Sequence, residues 1–441
     1  MNNIRLVYDN ALERATTLTA SSEASTAMSA AKLRIDDKDT LWRATGTSAA
    51  LRLTWPALEM LGCAALAPCN FSPSATMRVR LSREASKTNL LTYSEGFGDS
   101  SWEKIGLNLA GGIAAPDGTN NAFAMTATGG DPYLDKALTL APGAYTFSIF
   151  LKGVGGSVGK APNVWFWNIG NLSGFTAAVD ARALGGGWVR YSATCSVTTG
   201  GSYRVRVDAP DVGASAGDVV HVWGAQVESG ALSSYFPSGA TPGVRPAGYI
   251  DAWQSYDFDS GAVRCCPAPA VRLRGWTAAQ AACAYAYGGG AYAVVWFPQM
   301  QALGMAIDIV DTGNLQGSLE AACLVVAPYF STQYNASDAT MTPVDTTELY
   351  RKASGAQGAD PGFTYRRLSV DLSKMPRSDR TTFVNLLRNS RACPVLVSVF
   401  PGSQDLELER DNMVLGRRTK DSDITTQYAL AYSSTIEIEE I

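Results

Sequence analysis

Between residues 89 and 246 glycine and proline divide the chain into short pieces, and this constrains its fold more than any other feature. Pro142-Gly143, Gly155-Gly156, Gly185-Gly186-Gly187 and Gly200-Gly201 read as turns, and no piece between them is long enough for a persistent helix. The pieces carry apolar and aromatic residues in strand-like order: Ala122–Thr128, Ala144–Lys152, Val164–Asn168, Phe175–Val179, Trp188–Val197, Tyr203–Asp208 and Val219–Val227. Many short strands separated by turns predict a β-sandwich.

Composition agrees. Of 441 residues only 17% are charged, against about 25% in an average globular protein, while 46% are hydrophobic and 42 are glycine. Few charges and many turn formers suit strands and tight loops better than long solvated helices. The net charge of −4 excludes a chain built mainly to neutralise phosphates, so no nucleic-acid partner is expected. No apolar run approaches the length of a membrane span, so no membrane insertion is expected, and Met1 to Asp9 shows no secretory leader.

A single histidine, His221, limits catalysis. A zinc site with two imidazoles is excluded, and any Ser-His-Asp triad would depend on His221 in the apolar run Val219–Trp223, which reads as a strand. The eight cysteines contain no C-x-x-C pair and are too sparse for a disulfide framework. They read as reduced thiols of a protein made in a reducing cytoplasm.

Strand patterns continue on both sides of the glycine-rich stretch. Leu51–Trp55 and Thr76–Ser82 alternate, Gly62–Cys69 is almost wholly apolar, and Pro56 and Pro68 punctuate them. After Arg245-Pro246 strands resume at Ala291–Phe297, Met305–Val310 and Ser318–Val326. One amphipathic helix is predicted, capped by Ser378, with Asp379 in its first turn and Phe383, Leu386 and Leu387 on one stripe. A strand Val395–Phe400 follows, and the chain closes on Thr435–Glu439, where Ile436 and Ile438 alternate with Glu437 and Glu439. Read as a free edge, that last strand would present Ile436 and Ile438 to a partner subunit.

An ordered series of motifs resembles the carbohydrate-binding-module-like sandwich of tailed-phage virion proteins. It runs through Asn89-Leu90-Leu91-Thr92-Tyr93-Ser94-Glu95, Phe97 and Trp102, Ala115–Thr119, Gly143–Ser148, Trp188–Tyr191 and Val222–Glu228, ending at Ser234-Tyr235-Phe236-Pro237-Ser238. The flanks resemble discoidin-type, galactose-binding-like jelly rolls through Asp39–Ala44, Leu51–Trp55 and Cys69–Ser72, and residues 331–441 resemble the C-terminal part of phage tail or baseplate proteins. The resemblance implies a mainly β chain of jelly-roll β-sandwich domains with a small α+β C-terminal region. Residues 1–88 and 247–330 would form one jelly roll, 89–246 a second inserted in it, and 331–441 a virion-attachment region.

Chemistry-bearing residues are sparse. Asp208, Asp211, Asp218 and Glu228 show no spacing that pairs them as glycosidase carboxylates. Asp308, Asp311 and Glu320 offer oxygen ligands suited to calcium, with turn capping as the alternative, and no other cofactor is expected. Trp165 and Trp167 alternate with Phe166, so the two tryptophans share one face of a strand, and either they or Phe166 face the core. Facing out, Trp165 and Trp167 are candidate glycan-stacking residues, with Tyr133 in the loop after Gly129 as a third.

The expected function is that of a non-enzymatic structural component of a phage virion, at the tail tip or baseplate. It would be made in the host cytoplasm, form a homo-oligomer, contact other tail or virion subunits, and touch host-surface glycans. A head fibre or decoration protein, and a surface glycan-active enzyme, are the alternatives.

Overall fold

The computed structural model describes the chain except for residues 1–2, 130, 161, 169–172, 176–178, 209–214, 252–255, 266–290, 361 and 429–430. The side chains of 167, 168, 173–175, 179, 389, 406, 407, 427 and 428 are likewise outside the described set. Part of the expected Phe175–Val179 strand and all of Asp211, Cys266 and Cys283 fall outside it too. The described architecture is mainly β, in antiparallel sheets, and the chain divides into two compact units. One is Glu84–Ser255; the other joins Met1–Arg83 with Tyr256–Ile441.

Glu84–Ser255 is a sandwich. Its five-stranded sheet runs in the order Ser173–Phe175, Asn163–Asn168, Gly201–Asp208, Tyr133–Leu140, Trp102–Ile105. Its six-stranded sheet runs Val179–Ala183, Val189–Val197, Gly143–Val154, Val219–Ser229, Ala122–Ala127, Leu107–Ile113. Alternation turns Leu134, Phe166, Val205 and Val207 of one sheet toward Phe147, Ile149, Leu151, Val220 and Val222 of the other, and these residues form one buried core. The ribbon of Lys87–Asn89 with Gly243–Arg245 brings the two ends of the unit together.

The other unit contains two sheets. In the first, the strand Ser48–Cys69 pairs with Ala291–Val310, which also pairs with Thr76–Ser82. Sequence reading divided both long strands at proline, yet the chain continues through Pro56 and Pro298. Each proline sits where the ladder slips register, between Thr54 and Glu59 and between Trp296 and Met300, so neither removes a needed donor.

In the second sheet the neighbours run Phe330–Ser331, Arg5–Val7, Val395–Ser398, Met413–Arg418, Ala431–Glu440, Thr364–Met375, Asp338–Asp345. The helix Arg377–Asn389 lies on this sheet and buries Phe383 and Leu386 against Val395, Val397 and Val370. Pro376, rather than Ser378, is its N-cap residue, and Asp379 in the first turn accepts the Gln333 backbone N–H at 2.7 Å. On the opposite face Leu396, Met413 and Leu415 pack against Cys63, Ala65 and Val325 of the first sheet.

The terminal strand corrects an expectation. Ala431–Glu440 is an interior strand, paired with Thr364–Met375 on one side and with Met413–Arg418 and Thr425–Tyr428 on the other. Ile436 and Ile438 are 0% exposed and belong to the core under the helix, so neither faces a partner. Their alternating glutamates are held by basic neighbours: Arg367 approaches Glu437 at 3.6 Å and Glu439 at 2.5 Å, and Lys420 reaches Glu437 at 2.8 Å.

Candidate functional site

The aromatic residues singled out by sequence converge on one surface. In Asn163–Asn168, Val164 and Phe166 point into the sandwich and are fully buried. Trp165 therefore faces outward and is half-buried. Trp167 has the same parity and lies opposite Arg204; its side chain is outside the described set. Tyr133 is not in a loop, as expected, but opens the strand Tyr133–Leu140, opposite Asp208 on the same outer face.

Antiparallel register lines these residues up in rows, because residues directly opposite share a face. One row runs Trp165, Arg206, Asp135, Glu103; the next runs Asn163, Asp208, Tyr133, Ile105. Trp165 and Tyr133 are two strands apart, about 10 Å laterally.

The polar groups between the rings are held by one another. Trp165 Nε1 donates to Asp208 Oδ2 at 2.9 Å. The Arg206 guanidinium stacks 3.6 Å from the centre of the Tyr133 ring and donates to Asp135 Oδ2 at 3.2 Å. Arg204 donates to Asp135 Oδ1 at 2.8 Å and bridges to Glu103. Asp135 is completely buried; desolvation raises its pKa, against the pull of the two arginines. Arg204 holds the more exposed Glu103 below the usual carboxylate range. The result is a pre-ordered face of aromatic rings and fixed donors and acceptors.

Sequence reading missed the charged half of this face. Asp135, Glu103, Arg204 and Arg206 lie on strands whose alternation is obscured, and only the cross-strand register shows that they meet.

Other candidates have local duties. Asp218 receives Lys160 at 2.7 Å and the Ser215 N–H at 2.8 Å. Glu228 is buried on Gln226 and Ser233. Asp308 pairs with Arg52 and Arg80, Asp311 accepts the Ser72 N–H at 2.7 Å, and Glu320 pairs with Arg43 at 2.6 Å. Turn and ladder stabilisation accounts for each. Among the described residues no group of three or more His, Cys, Asp or Glu is arranged to hold a metal ion.

His221 is half-buried, 6.4 Å from the Trp188 ring, with its pKa lowered by burial and by Lys152 across the ladder. Trp102, Trp188 and Trp223 are buried, with Trp102 Nε1 donating to the Tyr93 carbonyl at 3.0 Å and Trp223 Nε1 to Asn121 at 2.8 Å. The six described cysteines are free, five of them buried. Among the described residues no helix is long and apolar enough to cross a membrane.

No protein-family model matches the sequence, and no curated protein matches it. Solved structures do resemble parts of the chain. The CBM22-1 xylan-binding domain from Paenibacillus barcinonensis Xyn10C is 17% identical over 35% of this chain and 94% of its own, at a TM-score of 0.24. The CBM22-1–GH10 modules of Clostridium thermocellum Xyn10B, solved with xylohexaose, are 13% identical over 36% of this chain and 30% of that one, at 0.24. The tripod from the baseplate of bacteriophage Tuc2009 is 13% identical over 59% of this chain and 98% of its own, at 0.20.

Proposed function

We infer that the outer face of the five-stranded sheet binds a glycan, and that the chain does so as a non-enzymatic structural component of a phage particle, at the tail tip or baseplate. One observation carries the binding reading: Trp165 and Tyr133 stand on the same face, with Arg206, Asp135 and Asp208 fixed between them. Sugar C–H groups meet the negative face of an aromatic ring, while hydroxyls exchange hydrogen bonds with carboxylates and guanidinium groups already held in place. Each arginine of the face has a carboxylate beside it, so a neutral polysaccharide fits better than a polyanion. Contacts of this size are individually weak, and many copies on one particle would make them effective through avidity. The virion assignment rests on the ordered motif series from Asn89 to Ser238.

The test is titration of the full chain with neutral and uronate-bearing polysaccharides from bacterial envelopes. A neutral polymer should bind, with no new reducing ends appearing. Trp165→Ala should weaken binding at least about ten-fold, which corresponds to about 1.4 kcal/mol. If Trp165→Ala and Tyr133→Ala both bind as the unaltered protein does, this face is not the site.

A further inference from the structure

Beyond glycan binding, the structure carries a self-complementary strand edge. The hairpin Glu348–Arg351 with Gln357–Asp360 forms a two-stranded sheet of its own, reached from the edge strand Asp338–Asp345. Every residue from Glu348 to Gln357 is exposed, including Leu349 at 65% and Tyr350 at 44%. Isolated two-stranded ribbons are marginal in water, and exposed edges with apolar side chains invite another strand.

The hydrogen-bond phase shows which groups are offered. Lys352 donates its N–H to the Ala356 carbonyl at 2.9 Å, and Tyr350 lies opposite Gly358. Residues 348, 350 and 352 therefore direct their N–H and C=O groups into the hairpin, while Leu349 and Arg351 direct theirs outward. Among the described residues nothing pairs with that outer edge.

We propose that a second copy of this chain pairs antiparallel with the outer edge of Glu348–Arg351, about a two-fold axis passing beside Tyr350. A two-fold axis perpendicular to a sheet places residues of equal parity opposite each other, and centring it at Tyr350 gives a matched set. Leu349 and Arg351 exchange N–H···O bonds with Arg351 and Leu349 of the other copy. Tyr350 meets Tyr350 in the closer, non-hydrogen-bonded position. Glu348 meets Lys352 twice, on the same face as the tyrosines. Aromatic and opposite-charge cross-strand pairs are those that stabilise antiparallel sheets. Neither Glu348 nor Lys352 forms an ion pair among the described residues, so both charges are available. The interface is isologous and closes at two copies.

Sedimentation of the full chain, up to its highest soluble concentration, tests this. The expected result is a monomer–dimer equilibrium. Leu349→Pro removes only an outward N–H, so it should leave the unfolding midpoint unchanged and abolish the dimer. Glu348→Lys and Lys352→Glu should each weaken dimerisation about ten-fold by setting like charges opposite, and the double variant should restore it. A protein monomeric at every concentration, a trimer or larger closed assembly, or a dimer that survives both Leu349→Pro and Glu348→Lys would overturn the proposal. If Leu349→Pro fails to fold, the charge-exchange pair still decides.

Discussion

Lys136 is a charged residue on the inner side of a sandwich. It shares a face with Leu134, and its ammonium donates to Ser101 Oγ and lies 5.0 Å from the Trp102 ring and 5.5 Å from the Tyr93 ring. Desolvation lowers its pKa from 10.5 to about 8. Between these values the unfolded chain holds a proton that the folded chain has released, so stability rises as pH increases from about 8 to about 10.5. Urea midpoints across that interval should climb for the unaltered protein and stay flatter for Lys136→Met. The residue was not legible as interior, because Asp135 and Lys136 put charge on both parities of Tyr133–Leu140 and erase its alternation. The Trp165-Phe166-Trp167 triplet was half legible. Period two separated the tryptophans from Phe166, but their sides were set by the neighbouring strand, where Val205 and Val207 put the apolar partners of Phe166 and Val164 inside.

At the scale of elements, the terminal strand is the instructive case. Ile-Glu-Ile-Glu reads as an edge with one wet face, yet here the glutamates answer Arg366, Arg367 and Lys420 of neighbouring segments, which lets a half-charged strand sit inside a sheet. Those partners are remote in sequence, so periodicity alone cannot reveal them. Removing residues after Ala431 takes away a strand with neighbours on both sides and the Ile436–Ile438 part of the core. That truncation should give no cooperative unfolding transition by calorimetry, whereas Ile438→Ala should fold and lose about 2–5 kcal/mol in urea titration. The helix was legible because its stripe of Phe383, Leu386 and Leu387 has period 3.6 and needs no long-range information; its cap was not, since proline supplies φ without advertising a side-chain bond.

At the scale of the whole molecule, chain order and spatial order part company. The N-terminal strand Arg5–Val7 lies between Phe330–Ser331 and Val395–Ser398, a pairing no local pattern could announce. Leu81 pairs with Phe258 and the Arg83 N–H donates to Asp257 at 2.6 Å, so the register leaves Arg83 and Tyr256 side by side. Excising 84–255 and closing the gap with a short Gly/Ser linker should therefore leave a protein with a cooperative melt; loss of that transition would show that the remaining unit needs the excised one. The same adjacency governs how the chain bears load. A pull on the Glu84–Ser255 unit enters the rest of the molecule through two strand ends lying next to each other. The first bonds strained are Arg83–Asp257 and then the Leu81–Phe258 pair, so the seam opens one rung at a time, as a zip does, rather than resisting in shear along its whole length.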